Sequence, residues 1–155
     1  MTEMPTLSIQ QPWAWAIVHG PKRIENRTWH TDYRGPLLIH TGKSRDRIGD
    51  FGDVYDSTGF IEPPSATMDF GAIIGVCDLV DCLNYKVNLR AHVLQDPFAE
   101  GPWCWILDNV RPMPAVPYVG QRGLFRVDVV WLCVAAGWPK DFATSKLTGG
   151  RKSCV

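Results

Sequence analysis

Apolar residues in this chain come in short blocks, some alternating with polar ones and some continuous, and Gly or Pro punctuates nearly every block. Thr6–Ile9 is short and apolar and predicts an opening strand. Pro12 suits the first turn of a helix in which Trp13, Ile17 and either Trp15 or Ala16 share a face, and Gly20-Pro21 stops that helix after three turns at most. Lys22–Trp29 then alternates as a strand, placing Glu25, Arg27 and Trp29 on one side and Ile24, Asn26 and Thr28 on the other. Asp32-Tyr33-Arg34-Gly35 is a turn signal, and Pro36–Thr41 is the returning strand. Its Leu37 and Ile39 face one way, Leu38 and His40 the other.

The stretch 42–70 is rich in Gly and Asp and holds the pair Pro63-Pro64, which predicts an excursion with one helical turn. The spacing of Asp50, Asp53 and Asp56 does not match the alternating ligands of a calcium loop, so a solvated loop is the expectation. Gly71–Leu83 is β-branched and nearly continuous, a central strand apolar on both faces. Asn88–Gln95 reads as a short helix ended by Asp96-Pro97. Gly101–Val110 is a strand with Trp103, Trp105 and Leu107 on one face. Arg111–Pro117 carries three prolines, which points to an edge or an extended connector. Leu124–Leu132 closes the sheet. About six strands and two or three short helices describe a small β-barrel with peripheral helices, an α+β architecture.

Composition agrees. Fourteen Gly and twelve Pro in 155 residues exceed what a helical bundle would carry, and 45% hydrophobic with 21% charged residues is ordinary for one globular domain spanning 1–155. The tail 140–155 is basic, holds Gly149-Gly150 and is expected to be partly mobile. No basic start followed by an apolar run marks a secretory leader, and the longest apolar stretch, Val129–Trp138, is too short to span a bilayer, so a cytoplasmic protein without a membrane partner is expected. Five cysteines without a CxxC pair read as buried thiols. No zinc-like spacing is present, and neither a metal nor a cofactor is expected.

Charge is where the sequence becomes informative. The chain is neutral overall, yet between Lys22 and Arg47 there are seven Lys/Arg against three acids. Positive charge gathered around Trp and His suits an anionic partner. Arg27 and Arg34 offer planar forks for phosphate or carboxylate, or else surface ion pairs. Trp13, Trp15 and Trp29 offer flat faces for bases, or else core packing, with Trp29 the one expected to be exposed and Trp103 and Trp105 at least half core. Lys22, beside Arg23 and Arg27, is placed either as a base or nucleophile partnered by Glu25, or as half of a plain ion pair. His40, followed by Gly42 and Lys43, is a ligand contact or a satisfied core histidine. Asp78 and Asp81 face opposite ways, and the inward one is expected to pair with Arg27 or Lys22. No Ser or Cys sits in a nucleophile-elbow setting.

These residues also carry a family likeness. Leu7-Ser8-Ile9-x-Gln11-Pro12-Trp13-Ala14 leads into Gly20-x-Lys22-x-x-Glu25-x-Arg27-x-Trp29, then Tyr33-Arg34-Gly35-Pro36, Ile39-His40 and Gly75-Val76-Cys77-Asp78-Leu79-Val80-Asp81-Cys82. From about Leu7 to about Val127 the chain resembles the ASCH domain (activating signal cointegrator homology), one of the PUA-like β-barrels. The resemblance implies a cationic cleft at the barrel mouth lined by Lys22, Glu25 and Arg27. Trp13, Trp29, Arg34, His40 and Lys43 are the further candidate contacts. It implies a partner that is RNA, single-stranded nucleic acid, a modified base or a nucleoside-like small molecule. Some similar proteins bind nucleic acid, whereas others are hydrolases, among them ribonucleases and an amidohydrolase acting on N4-acetylcytidine. In the amidohydrolases the motif lysine is catalytic and a Thr follows three residues later; here that position is Glu25. Two expectations therefore stand, a nucleic-acid-binding module and a hydrolase working through Lys22 and Glu25.

Overall fold

The computed structural model describes residues 3–46, 58–61, 63–87, 93 and 95–138. Strand β1 (Glu3–Gln11) leads through Pro12 into helix α1 (Trp13–Val18), and β2 (Ile24–Arg27) follows the Gly20-Pro21 stop. Then come β3 (Gly35–Arg45), a 3-10 turn at Ser65–Thr67, β4 (Ala72–Asn84), β5 (Trp103–Pro117), β6 (Leu124–Asp128) and helix α2 (Val129–Ala135). The strands form one mixed sheet in the order β2-β5-β4-β3-β1-β6. Among the described strands only β1 and β3 run parallel, which the intervening helix and β2 make topologically available.

Six strands are as expected, but the sheet is open and the expected barrel is not closed. Closure requires the two edge strands to pair. Here the edges are β2, four residues long and hydrogen-bonded to β5, and β6, five residues long and bonded to β1. Instead α1 packs across β1, β3, β4 and β5. Its approach is close because β4 has Gly75 beneath it: a Cβ there would stand 2.9 Å from Val18 Cγ2.

Alternation sorts β3 between two cores. Leu37 and Ile39 join Leu7, Ile9, Ile17 and Trp105 against α1, whereas Leu38 joins Ile73, Val76, Phe125, Val127 and Leu132 against α2. The proline-rich segment 111–117 is the second half of β5, beyond the residues that β2 pairs, so no second neighbour needs the missing N–H groups. A register shift against β4 between Ile73 and Gly75 takes up Pro114.

The closing strand expected over 124–132 ends at Asp128, and helix α2 takes over. Asp128 caps it, its carboxylate accepting from Trp131 N at 2.9 Å. Val129, Leu132, Cys133 and Ala136 then face the second core at helical spacing. A β-branched run reads locally as strand; the cap and this stripe decide otherwise. The helix expected over 88–95 lies largely outside the described residues, as does most of the loop between β3 and the 3-10 turn. Among the described residues no helix is long and apolar enough to cross a membrane.

Candidate functional site

The site begins where α1 ends. Arg23 Nη1 donates to the carbonyls of Ile17, Gly20 and Lys22 at 3.1, 3.0 and 2.8 Å, so this cation closes the exposed C-terminal end of the helix. Lys22 N donates to Ala16 O at 3.0 Å. With the bend fixed in this way, the Lys22 side chain turns inward and is buried.

Its ammonium donates to Ile24 O and lies 3.3 Å from Glu25 Oε2. Trp13 and Phe98 flank it, each ring centroid 5.6 Å from Nζ. A lysine taken out of water needs such company: an opposite charge, a carbonyl and two π faces offset the loss of hydration. Glu25 in turn reaches Arg27 Nη1 at 3.7 Å from its other oxygen. The three groups therefore form a row running outward. Lys22 and Glu25 keep 4% and 9% of their side chains exposed, and Arg27 keeps 25%.

Aromatic rings carry the outer end. The Arg27 guanidinium lies 6.0 Å from the Trp29 ring centroid. Trp29 stands edge-on to Trp105 at 4.7 Å, and Trp105 Nε1 donates to Trp29 O at 3.3 Å. Trp105 is fully buried and Trp29 half-buried, so Trp29 is held by a rigid base and still meets solvent.

The other face of β2 supports this arrangement. Asn26 donates from Nδ2 to Phe98 O at 2.7 Å and accepts the amides of Glu100 and Gly101, both at 2.9 Å. One side chain thus pins the loop that brings Phe98 over Lys22. Neither residue stands out in the sequence reading. The available signal was Asn26 alternating with Glu25 and Arg27, which shows its face and not its partner.

The structure brings together Trp13, Lys22, Glu25, Arg27 and Trp29. Trp13 is anchored by Nε1–H donation to Asp46 Oδ2 at 2.9 Å. Arg34 is turned to other work. Its Nη1 donates to Thr31 O and Tyr33 O, both at 2.9 Å, and its Nη2 reaches Asp81 Oδ1 at 3.4 Å. Lys43 is exposed on β3, its stem beside Gly71. His40 is on the opposite sheet face, in contact with Phe125 of the α2 core. Its Nε2 sits 2.8 Å from Tyr118 O, which can only accept, so Nε2 carries the proton and Nδ1 accepts from Ser8 Oγ at 2.9 Å. Burial pushes its pKa below the usual histidine value. The carboxylate expected beside Lys22 and Arg27 is Glu25 itself: Asp78 pairs with Arg111 at 3.2 Å and Asp81 with Arg34. Burial pushes the Cys77 thiol up to about 12.

An α+β chain built on one open mixed sheet, with Lys22, Glu25 and Arg27 at its helix-to-strand junction, matches a known domain family. The chain belongs to the ASCH domain family, whose profile matches residues 7–115. It is similar to Activating signal cointegrator 1 from Homo sapiens, at 27% identity over 127 residues, and from Mus musculus, at 33% over 127 residues. Each alignment covers 79% of this chain and 22% of the relative, so the chain spans about a fifth of the length of these proteins. Among solved structures, ASCH from Zymomonas mobilis is similar at a TM-score of 0.45 and 15% identity, over 94% of this chain and 93% of that one.

Proposed function

We propose that this chain is a nucleic-acid-binding ASCH domain that takes RNA or a single strand, including a modified base, at the opening formed by Arg27 and Trp29. The observation that carries this reading is the Arg27–Trp29 pair. A guanidinium held beside an indole, with both partly open, joins a phosphate-binding fork to a surface on which any base can stack. Glu25 and Lys22 behind it fix where that fork points. Membership of the ASCH family supports the same direction. Binding of labelled oligouridine at several salt concentrations tests it. Affinity should fall linearly on a log–log plot, and Arg27→Ala and Trp29→Leu should each weaken it in protein that circular dichroism shows to be folded at the assay temperature. Salt-independent binding, or none, would remove the reading.

A second reading is favoured by one specific observation, the 3.3 Å contact of Lys22 with Glu25 beneath that opening. The pair has the composition of an acid–base couple for hydrolysis of an acylated nucleoside such as N4-acetylcytidine, or of RNA. Against it, Lys22 is already engaged by Ile24 O and sandwiched between Trp13 and Phe98. Product formation from N4-acetylcytidine that disappears in both Lys22→Ala and Glu25→Gln, each shown by circular dichroism to be folded under assay conditions, would support this activity; turnover surviving both would eliminate this pair from it.

A further inference from the structure

We infer that the opening continues to a second stacking position built by His30 and Trp103. The ligand is then a single strand contributing two successive bases, with its linking phosphate at Arg27. This rests on the nucleic-acid reading above and adds the ligand's length and the way it lies.

Register places the parts. Arg27 is directly opposite Trp103, and Glu25 directly opposite Trp105, in the antiparallel β2–β5 pair. Opposed residues share a sheet face, so both Trp side chains lie on the side of the Lys22–Glu25–Arg27 row. Each has an outer aromatic leaning on it. Trp29 meets Trp105 with centroids 4.7 Å apart and an interplanar angle of 85°. His30 meets Trp103 at 4.8 Å and 62°. Two aromatic pairs therefore flank one guanidinium. Trp103 and Trp105 are two residues apart on a strand, a separation of about 6.5–7 Å. Because Trp105 is fully buried, the outer rings leaning on this spaced pair, Trp29 and His30, are what meets two successive bases.

Charge fixes which part of the ligand goes where. Behind Arg27 stands Glu25, whose charge Lys22 and Arg27 share, and Asp32, almost wholly exposed, lies 3.6 Å from His30 Nδ1. A phosphate is repelled beside His30 by Asp32 and attracted at Arg27, the partly exposed cation of a row in which two cations share one carboxylate. The neutral parts of the ligand, its bases, then fall against the two aromatic pairs. Core packing accounts for Trp103, which is half-buried against the α1 core. It does not account for His30, an exposed ring set on the outer side of Trp103 beside Asp32.

Three probes separate the positions: uridine 5′-monophosphate, the dinucleotide pUpU, and the same dinucleotide with its second ribose abasic, which keeps the linking phosphate and lacks one base. The full protein should bind pUpU about tenfold more tightly than the abasic form, the size of one base–aromatic stack. Trp103→Leu should abolish that difference and leave uridine monophosphate binding unchanged. Because Trp103 touches the core, His30→Ala, at an exposed position, is the companion variant and should reduce the difference severalfold without altering the melting temperature. Equal affinity of the two dinucleotides, or weakening of the mononucleotide by the same factor in both variants, overturns the second position alone. No binding of any probe by the unaltered protein overturns the nucleic-acid reading with it.

Discussion

Lys22 and Glu25 form a buried ion pair, Nζ to Oε2 3.3 Å, three residues apart across the entry to β2. The two partners are not equivalent, because Glu25 has a second cation in Arg27 whereas the charged neighbour found for Lys22 is Glu25. Glu25→Gln therefore strands a buried ammonium and should cost about 3–5 kcal/mol. Lys22→Met leaves Glu25 beside Arg27 and should cost distinctly less. Urea unfolding of both variants checks the order; a larger loss in Lys22→Met would contradict it.

The Phe98 wall depends on Asn26. Asn26→Ala removes the acceptor for two loop amides and the donor to Phe98 O, a loss of about 1–3 kcal/mol. Hydrogen exchange at Glu100 and Gly101 should accelerate. Asn26→Asp should keep those amides protected, since a carboxylate still accepts, yet lose stability because it faces the Phe98 carbonyl. Identical exchange in the two variants would show that another group holds the loop.

His40 makes stability depend on pH. Its pKa in the folded chain is lowered from 6.5 by burial, so the unfolded chain binds the proton more readily. The sign follows: its contribution is full above 6.5 and is lost as pH falls from there toward the lowered folded value. His40→Gln should flatten the stability–pH curve in that window. The ring also leaves no room at Gly120, where a Cβ would sit 2.6 Å from His40 Cε1. Gly120→Ala should lower the melting temperature.

At Arg27, shape and charge separate. Arg27→Lys keeps the charge and loses the planar face beside Trp29. Oligouridine affinity should drop severalfold with the salt slope unchanged. Arg27→Ala should also reduce that slope by about 0.7, one phosphate contact on a single strand. Equal slopes across all three proteins would place the phosphate elsewhere.

Helix α2 rests on its cap. Asp128→Ala should cost about 0.5–2 kcal/mol, and Asp128→Asn should recover most of it, read by thermal unfolding.

Much of this was legible in advance. The strand alternation that puts Glu25 and Arg27 on one side, the stop at Gly20-Pro21 and the facing of Leu38 and His40 away from Leu37 and Ile39 are short-range consequences of backbone geometry, visible in a window of a few residues. The charge surplus between Lys22 and Arg47 was also plain, but not its use. Arg23 closes a helix, Arg34 holds a turn and Asp81, and among the described residues only Arg27 both joins the row and stays partly open.

What the chain determined by itself, then, is its elements, their faces and the motif that places a lysine, a glutamate and an arginine in close succession. Tertiary structure decided that the sheet stays open, that 129–135 is helix and not strand, and that Phe98, held by Asn26, closes over Lys22. The reason is range. Period and turn chemistry act between neighbours, whereas sheet closure, burial of a charge and the pairing of His30 with Trp103 depend on residues that meet only when distant strands pair.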